Sequence, residues 1–268
     1  MSNRLLVGYL CYMNEANRKR RLENFNKSLT SMSRFKNQSC DVFAVKNNCT
    51  KEFSNKIDAQ EGIDFSVSFD KNFWDISVLY ATAKLARDRG YEYCMYTYDD
   101  FVVYRDDFVD DCMSYLDKNT DVGCVRVPKY QYDNMRTFDT KYTPKKDNPE
   151  SLRHYNTVNN SMLVWQGPSK IGNSKFYKCN WHYTSRPTIW RTDVFWSFFD
   201  SVKSVPVMQP FEKYAAIEFN KTGLLTGVLD YGALFTFLES ERTVSPESMG
   251  YGVKINLDNI DTQILKSL

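Results

Sequence analysis

Glycine and proline are scarce in this chain, 11 and 8 among 268 residues. That excludes a linker-rich or collagenous protein. The seven cysteines, Cys11, Cys40, Cys49, Cys94, Cys112, Cys124 and Cys179, are odd in number, irregular in spacing and lack any CxxC pair. Neither a disulfide framework nor a structural zinc site is expected from them. Their usage points to a reducing, cytoplasmic setting, the host cytoplasm if the chain is viral. An excess of one charge is also missing: 35 Lys and Arg against 33 Asp and Glu leave +2, so the chain is no polyelectrolyte made to coat nucleic acid. No run approaches the ~20 apolar residues of a membrane span, so no transmembrane segment is expected. The apolar stretch near the N-terminus is followed by charged residues, with no small-residue cleavage site, and reads as a first strand rather than a signal peptide.

What remains is ordinary globular usage, 42% hydrophobic and 25% charged, with a high aromatic count of 18 Tyr, 18 Phe and 5 Trp. Such abundance fits either stacking on flat or sugar-like ligands or a large α/β core. A chain of this length buries enough surface to need neither disulfide nor metal for its stability.

Along residues 1–127, strand and helix patterns alternate. Leu5 to Tyr12 is a continuous apolar run of strand length. Leu22, Phe25, Leu29 and Met32 then make an amphipathic helix stripe. Its first turns carry Arg18, Lys19, Arg20 and Arg21, which form either a solvated face or part of an anion site. Residues 41–45 and 63–69 read as strands, and Asp75 as the N-cap of a helix with a buried stripe that Gly90 stops. Residues 91–98 and 122–127 read as further strands, with a helix between them capped by Asp106 or Asp107. The pattern predicts an α/β fold with a mostly parallel sheet flanked by helices. Ligands in such sheets bind beyond the carboxyl ends of the strands, where Tyr12, Asn14, Asn47, Asp99 and Asp100 fall. Residues 128–180 are polar and turn-rich, with short strand patterns at 162–165 and 176–177. Helices are expected over 191–202 and 208–220, and the last ~50 residues carry no pattern that places them. The predicted organisation is one domain, its nucleotide half at 1–127 and its acceptor half at 128–268.

The most informative segment runs Tyr93-Cys94-Met95-Tyr96-Thr97-Tyr98-Asp99-Asp100-Phe101-Val102-Val103, followed by Asp106-Asp107-Phe108. An apolar strand delivers two adjacent carboxylates at its end, a repulsive arrangement unless a cation sits there. A hard divalent ion uses few protein carboxylates and completes its shell with phosphate oxygens. The acidic pair either starts a turn or holds such an ion. This segment resembles the DXD region of GT-A glycosyltransferases. A second stretch, Tyr183 through Phe195 followed by Pro210-Phe211-Glu212, is similar to the "S-x-Q-P-x-I-W … P-W-x-F-E" pattern of some bacterial and viral members. The opening strand with Tyr12, Asn14 and a basic helix is similar to that family's first turn. Tyr98 stands where many members carry the first acid, and Arg186 where the pattern has Gln.

The resemblance implies a GT-A-like fold with a smaller C-terminal acceptor-side region. It also implies transfer of a sugar from a nucleotide diphosphate donor, a UDP-sugar above all, to an acceptor hydroxyl, with inversion. A divalent metal, Mn²⁺ or Mg²⁺, would sit on Asp100 with Asp99 in support. Glu212 would be the general base, with Glu218 in reserve, or else a helix N-terminal acid. Tyr12, Asn14 and Asn47 would line the donor pocket, and Asp75 would join them or simply cap its helix. His182 would be a metal or diphosphate ligand, or a packing residue. Arg186 would pair with phosphate or lie on the surface. Trp190 would stack on the sugar or sit in the core.

The acceptor would be a glycan or a hydroxylated base in viral or phage DNA. A basic rim from Arg18–Arg21 through Lys129, Lys146 and Arg153 to Lys175 would face a polyanion in the second case, or is a solvated surface. Two other classes fit paired acids at a strand end. A sugar-phosphate nucleotidyltransferase would open with a Gly-rich phosphate loop, which the turn after Tyr12 lacks. A non-catalytic nucleic-acid-binding module is disfavoured by the near-zero charge.

Overall fold

The strand β1 (Leu5–Cys11) is buried at every position because helices cover both of its faces. Leu6 and Leu10 join one hydrophobic core, while Leu5, Val7, Tyr9 and Cys11 join the other, as the period of two dictates. The computed structural model describes residues 3–128, 141–142, 163–181, 185–200, 202, 206–208, 211–236 and 253–268.

Parallel strands β2 (Cys40–Asn47) and β4 (Tyr93–Tyr98) flank β1, and β3 (Phe65–Phe69) lies outside β2. The helices between them are α1 (Glu15–Ser31), α2 (Lys51–Asp58) and α3 (Ile76–Asp88). α2 was not apparent in the sequence pattern, because Phe53 and Ile57 are its only buried positions. Gly8 lets α3 lie close on β1: a Cβ there would come 2.0 Å from Thr82 Oγ1 and 3.1 Å from Val78 Cγ2. At its far end α3 closes at Gly90, φ +76°, with the Tyr91 N–H donating to Ala86 O at 2.9 Å.

β5 (Phe101–Val103) follows the acidic pair, and α4 (Val109–Lys118) leads to β6 (Val122–Arg126). Neither Asp106 nor Asp107 caps α4: Phe108 holds that position, and Asp107 instead pairs with Arg105 at 2.9 Å. Beyond come β7 (Lys141–Tyr142), β8 (Leu163–Ile171), β9 (Ser174–Cys179), β10 (Thr188–Arg191) and α5 (Thr192–Asp200). They are followed by β11 (Val207–Met208), α6 (Phe211–Lys221), β12 (Leu225–Leu229), β13 (Leu234–Thr236), β14 (Lys254–Ile255) and α7 (Leu257–Ser267).

Ten strands form the main sheet in the order β3-β2-β1-β4-β10-β6-β12-β9-β8-β7. The strands β3, β2, β1, β4, β6 and β12 share one direction, with β10 inserted antiparallel between β4 and β6. A row of paired residues, Phe65, Phe43, Gly8, Tyr96, Thr188, Arg126 and Val228, crosses the sheet. The fold is α/β with a large, mostly parallel central sheet flanked by helices. The segment after residue 128 supplies β10, so both halves of the chain share one sheet. Six of the seven cysteines are buried, Cys49 is half-buried, and all are free. Among the described residues, no helix is long and apolar enough to cross a membrane.

Candidate active site

Four residues beyond the row that crosses the sheet, β1 delivers Tyr12 and β4 delivers Asp100 to the same edge. Asn14 ends the first strand because it caps α1. Its side chain accepts from the Asn17 N–H at 3.2 Å, and the Asn17 side chain accepts from the Asn14 N–H at 2.9 Å. The half-buried Tyr12 is held by its backbone. Its N–H donates to Asp99 Oδ2 at 2.8 Å, and its carbonyl accepts from Asn17 Nδ2 at 2.8 Å and Arg21 Nη1 at 3.4 Å.

Asp99 is buried, and its other carboxylate oxygen forms an ion pair with Arg21. Burial pushes the Asp99 carboxyl upward; Arg21 and the Tyr12 N–H oppose that shift. Arg21 is held charged above its ordinary range, chiefly by Asp99. The cation that the acidic pair requires is thus partly supplied by α1. Both Asp99 oxygens accept from protein donors, which fixes the orientation of this carboxylate at the end of β4. Asp100, half-buried beside it, is the second carboxylate of the pair. Among the described residues, no group of three His, Cys, Asp or Glu side chains is placed to hold a metal. Asp100 would hold a divalent ion, which would supply charge neutralisation to a bound diphosphate. His182 lies outside the described residues.

Tyr98, at the residue before this pair, gathers the rest of the site. Its hydroxyl donates to the Ser185 carbonyl at 2.6 Å, and the Ser185 N–H donates to Glu212 Oε1 at 3.0 Å. Burial raises the Tyr98 hydroxyl well above its ordinary value, reinforced by Tyr96 and by the charges of Asp75, Asp100 and Glu212. The phenol therefore stays a donor, with three carboxylates from three separate elements close to it. Glu212 stands in the first turn of α6, half-buried.

A loop from β3 to α3 closes the other flank. The side chain of Asn47, 1% exposed, accepts from the Phe73 N–H at 2.9 Å and donates to Asn72 Oδ1 at 2.7 Å and the Trp74 carbonyl at 3.3 Å. Asn72 Oδ1 accepts the Trp74 N–H at 2.8 Å. These bonds hold Trp74 at φ +52°, a left-handed conformation that a bulky residue adopts only when its surroundings enforce it. Asn47 thus fixes the backbone of residues 72–74 ahead of α3. Asp75 occupies the N-cap position of α3 but makes no capping hydrogen bond, and its half-buried carboxylate lies near Tyr98.

Arg186 is half-exposed beside Ser185, and its guanidinium makes no ion pair among the described residues. Trp190, expected as a sugar platform or a core residue, is 1% exposed. Its ring stacks on Phe195 at 5.3 Å and meets Phe198 and Phe219 edge-on, which leaves no face for a sugar. Two members of the basic run at the start of α1 are paired within the protein, Arg18 with Glu52 at 2.8 Å and Arg21 with Asp99, while Lys19 is exposed. Of the expected rim beyond it, Lys129, Lys146 and Arg153 lie outside the described residues, while Lys175 is exposed.

The edge therefore links Tyr98 through Ser185 to Glu212, with Asp75 and Asp100 among the charges that act on the Tyr98 hydroxyl. Sequence patterns did not single out Tyr98, Ser185, Trp74 or the Arg21–Asp99 pair for these roles. The one available signal was the tyrosine standing where an acid was expected.

No family model and no curated protein sequence matches the chain. Among solved structures, S. aureus TarS residues 1–349 is similar over 98% of this chain and 66% of that one, with a TM-score of 0.49 and 11% identity. A mannosyltransferase from Pyrobaculum calidifontis in complex with GDP-Man and Mn²⁺ has a TM-score of 0.46 and 12% identity, covering 83% of this chain and 53% of that one. A 4-diphosphocytidyl-2C-methyl-D-erythritol synthase from Anaerococcus prevotii has a TM-score of 0.48 and 12% identity, covering 98% and 96%. The chain thus spans just under two thirds of the TarS fragment and about half of the mannosyltransferase. At such distances the functional reading rests on the residues of the site.

Proposed function

We propose that this chain is a glycosyltransferase that moves a sugar from a nucleoside diphosphate donor, a UDP-sugar, to an acceptor hydroxyl with inversion. One observation carries this reading: beside the acidic pair, the Tyr98 hydroxyl donates to the Ser185 carbonyl at 2.6 Å, and the Ser185 N–H donates to Glu212 Oε1 at 3.0 Å, which ties the end of β4 to a second carboxylate. The reaction needs separate carboxylates there, one on the diphosphate side and one to take a proton on the acceptor side.

Tyr12 and the Asn47-anchored Trp74–Asp75 turn form the nucleoside side of the crevice. Asp100 would hold a divalent ion, Mn²⁺ or Mg²⁺, which when bound would neutralise charge on the diphosphate. Arg186, beside Ser185, meets the same developing charge. Glu212 Oε2 takes the proton of the acceptor hydroxyl while that oxygen attacks the anomeric carbon. The new C–O bond forms as the bond to the β-phosphate oxygen breaks, and the nucleoside diphosphate leaves with the electron pair. Ser185, bonded to both Tyr98 and Glu212, fixes the distance between base and leaving group.

The test is nucleotide release from UDP- and GDP-sugars, with and without Mn²⁺, together with thermal shift by UDP. Release of nucleoside diphosphate, lost in Glu212→Gln and reduced in Asp100→Asn, is the expected result. Release of pyrophosphate from UTP and a sugar phosphate would instead indicate a nucleotidyltransferase. Absence of any turnover and of any shift by UDP or GDP would remove the proposal.

A further inference from the structure

We propose that Tyr231, at the β12–β13 turn, is the platform on which the acceptor stacks, and that this acceptor is an uncharged carbohydrate chain. This rests on the transferase reading and names its acceptor class.

Tyr231 is 68% exposed. The other exposed large apolar side chains among the described residues are Ile217, Leu265 and Leu268, so Tyr231 is the aromatic one. Its placement follows from the register. Val228 of β12 lies in the same row as Arg126, Thr188 and Tyr96, so Tyr231 and Asp100 project three and four residues beyond that row, on the same edge. Three strand spacings separate them, ~14 Å. That distance is spanned by a few linked sugars reaching from the platform to the reacting hydroxyl. Ser185 and Arg186 enter β10 between the two.

The backbone holds the ring outward at some cost. Tyr231 has φ +59° and the following Gly232 φ +61°, and the turn closes with the Gly232 N–H on Leu229 O at 3.0 Å. Glycine or asparagine suits such a turn position far better than tyrosine. The turn is pinned from below: the Tyr104 hydroxyl bonds the carbonyls of Tyr231 and Gly232, the latter at 3.0 Å, and the Tyr104 N–H donates to Ala233 O at 3.0 Å. The Tyr104 ring rests against Phe235 at 5.9 Å. A strained, exposed and firmly supported aromatic is a functional feature, since stability alone selects against it.

The local charge chooses between acceptor classes. Asp230 and Lys175 adjoin the turn, the Asp230 N–H donating to Lys175 O at 2.9 Å, and Arg105 behind it pairs with Asp107 at 2.9 Å. Among the described residues, these two acids and two bases beside the turn sum to zero. A polyanion finds no net attraction there. A pyranose ring needs only the apolar face of the tyrosine and hydrogen-bonding groups such as the Asp230 carboxylate beside it.

The experiment is a titration of the UDP-loaded chain with chitotriose, cellotriose and maltotriose, and with a DNA duplex at two salt concentrations. It compares wild type, Tyr231→Gly and Tyr231→Trp. Glycine removes the ring and also relieves the positive φ, so folding is not at risk, and its melting temperature should not fall. At least one trisaccharide should bind wild type, weaken about tenfold in Tyr231→Gly and be retained by Tyr231→Trp, with UDP affinity equal in all three. Equal trisaccharide binding in Tyr231→Gly, or no trisaccharide binding to wild type, overturns the inference. So does tighter, steeply salt-dependent DNA binding that is lost in Tyr231→Gly. Failure of UDP itself to bind would strike the transferase reading instead, and titrations without nucleotide would still decide the platform.

Discussion

The Tyr98 hydroxyl donates to the Ser185 carbonyl at 2.6 Å, joining the end of β4 to the segment that enters β10. Ser185 in turn donates its N–H to Glu212. A residue next to the acidic pair therefore sets the position of a carboxylate more than a hundred residues away in the chain. Tyr98→Phe deletes the hydroxyl and leaves the ring in place. Loss of one buried hydrogen bond, ~1–3 kcal/mol, should lower kcat by about tenfold or more. UDP affinity should remain within twofold. Steady-state kinetics on Tyr98→Phe, paired with UDP titration, checks this; equal losses in both would show that Tyr98 binds donor instead of positioning the base.

Arg21→Met should destabilise the fold by about 3 kcal/mol, because it leaves the buried Asp99 carboxylate without its cation. The double variant Arg21→Met/Asp99→Asn should recover part of that loss. Urea denaturation of both variants measures the coupling, and strict additivity would show that the pair does not act as a unit.

Trp190→Phe should lower stability and leave the donor KM of the folded enzyme unchanged, since the indole packs against Phe195, Phe198 and Phe219. Truncation to Ala should cost ~3–5 kcal/mol. A raised donor KM in Trp190→Phe would return the tryptophan to the sugar site.

Gly8→Ala should cost ~1–3 kcal/mol by forcing α3 away from β1. The clash is with Thr82 Oγ1, a buried hydroxyl with no hydrogen-bond partner among the described residues. Gly8→Ala/Thr82→Ala should therefore be more stable than Gly8→Ala alone. Thermal melts of the two variants test the contact directly.

Acid should weaken the sheet margin around Arg4. Hydrogen bonds from Arg4 lower the carboxyls of both Glu92 and Asp117. Groups depressed in the folded state stabilise it above their unfolded values, and that contribution is lost as pH falls through the folded values. The drop in melting temperature from pH 6 to pH 3 should therefore shrink in Arg4→Met. Both acids are well exposed, so the effect should be small and should diminish further in high salt.

Local chemistry alone determined much of the first 127 residues. The apolar run of β1, the stripe and glycine stop of α3, and the acidic pair at the end of β4 are all legible because their periodicity and end signals are short-range. α2 escaped because two apolar positions in eight residues carry no clear period. The strands β8 and β9 were legible only in part, at 162–165 and 176–177, and β10 and β12 escaped because pairing partners distant in the chain decide them, β10 most of all, inserted antiparallel between two strands of the opposite direction. The acidic pair shows the same boundary at a site. Its location could be read from the strand that ends there, but only the packing of α1 decided that Arg21 pairs with Asp99. Likewise, nothing local joins Tyr98 to Glu212 or raises Tyr231 on a strained turn. Those relations arise where segments far apart in the chain meet at one edge of the sheet, and the folded backbone alone brings them within bonding distance.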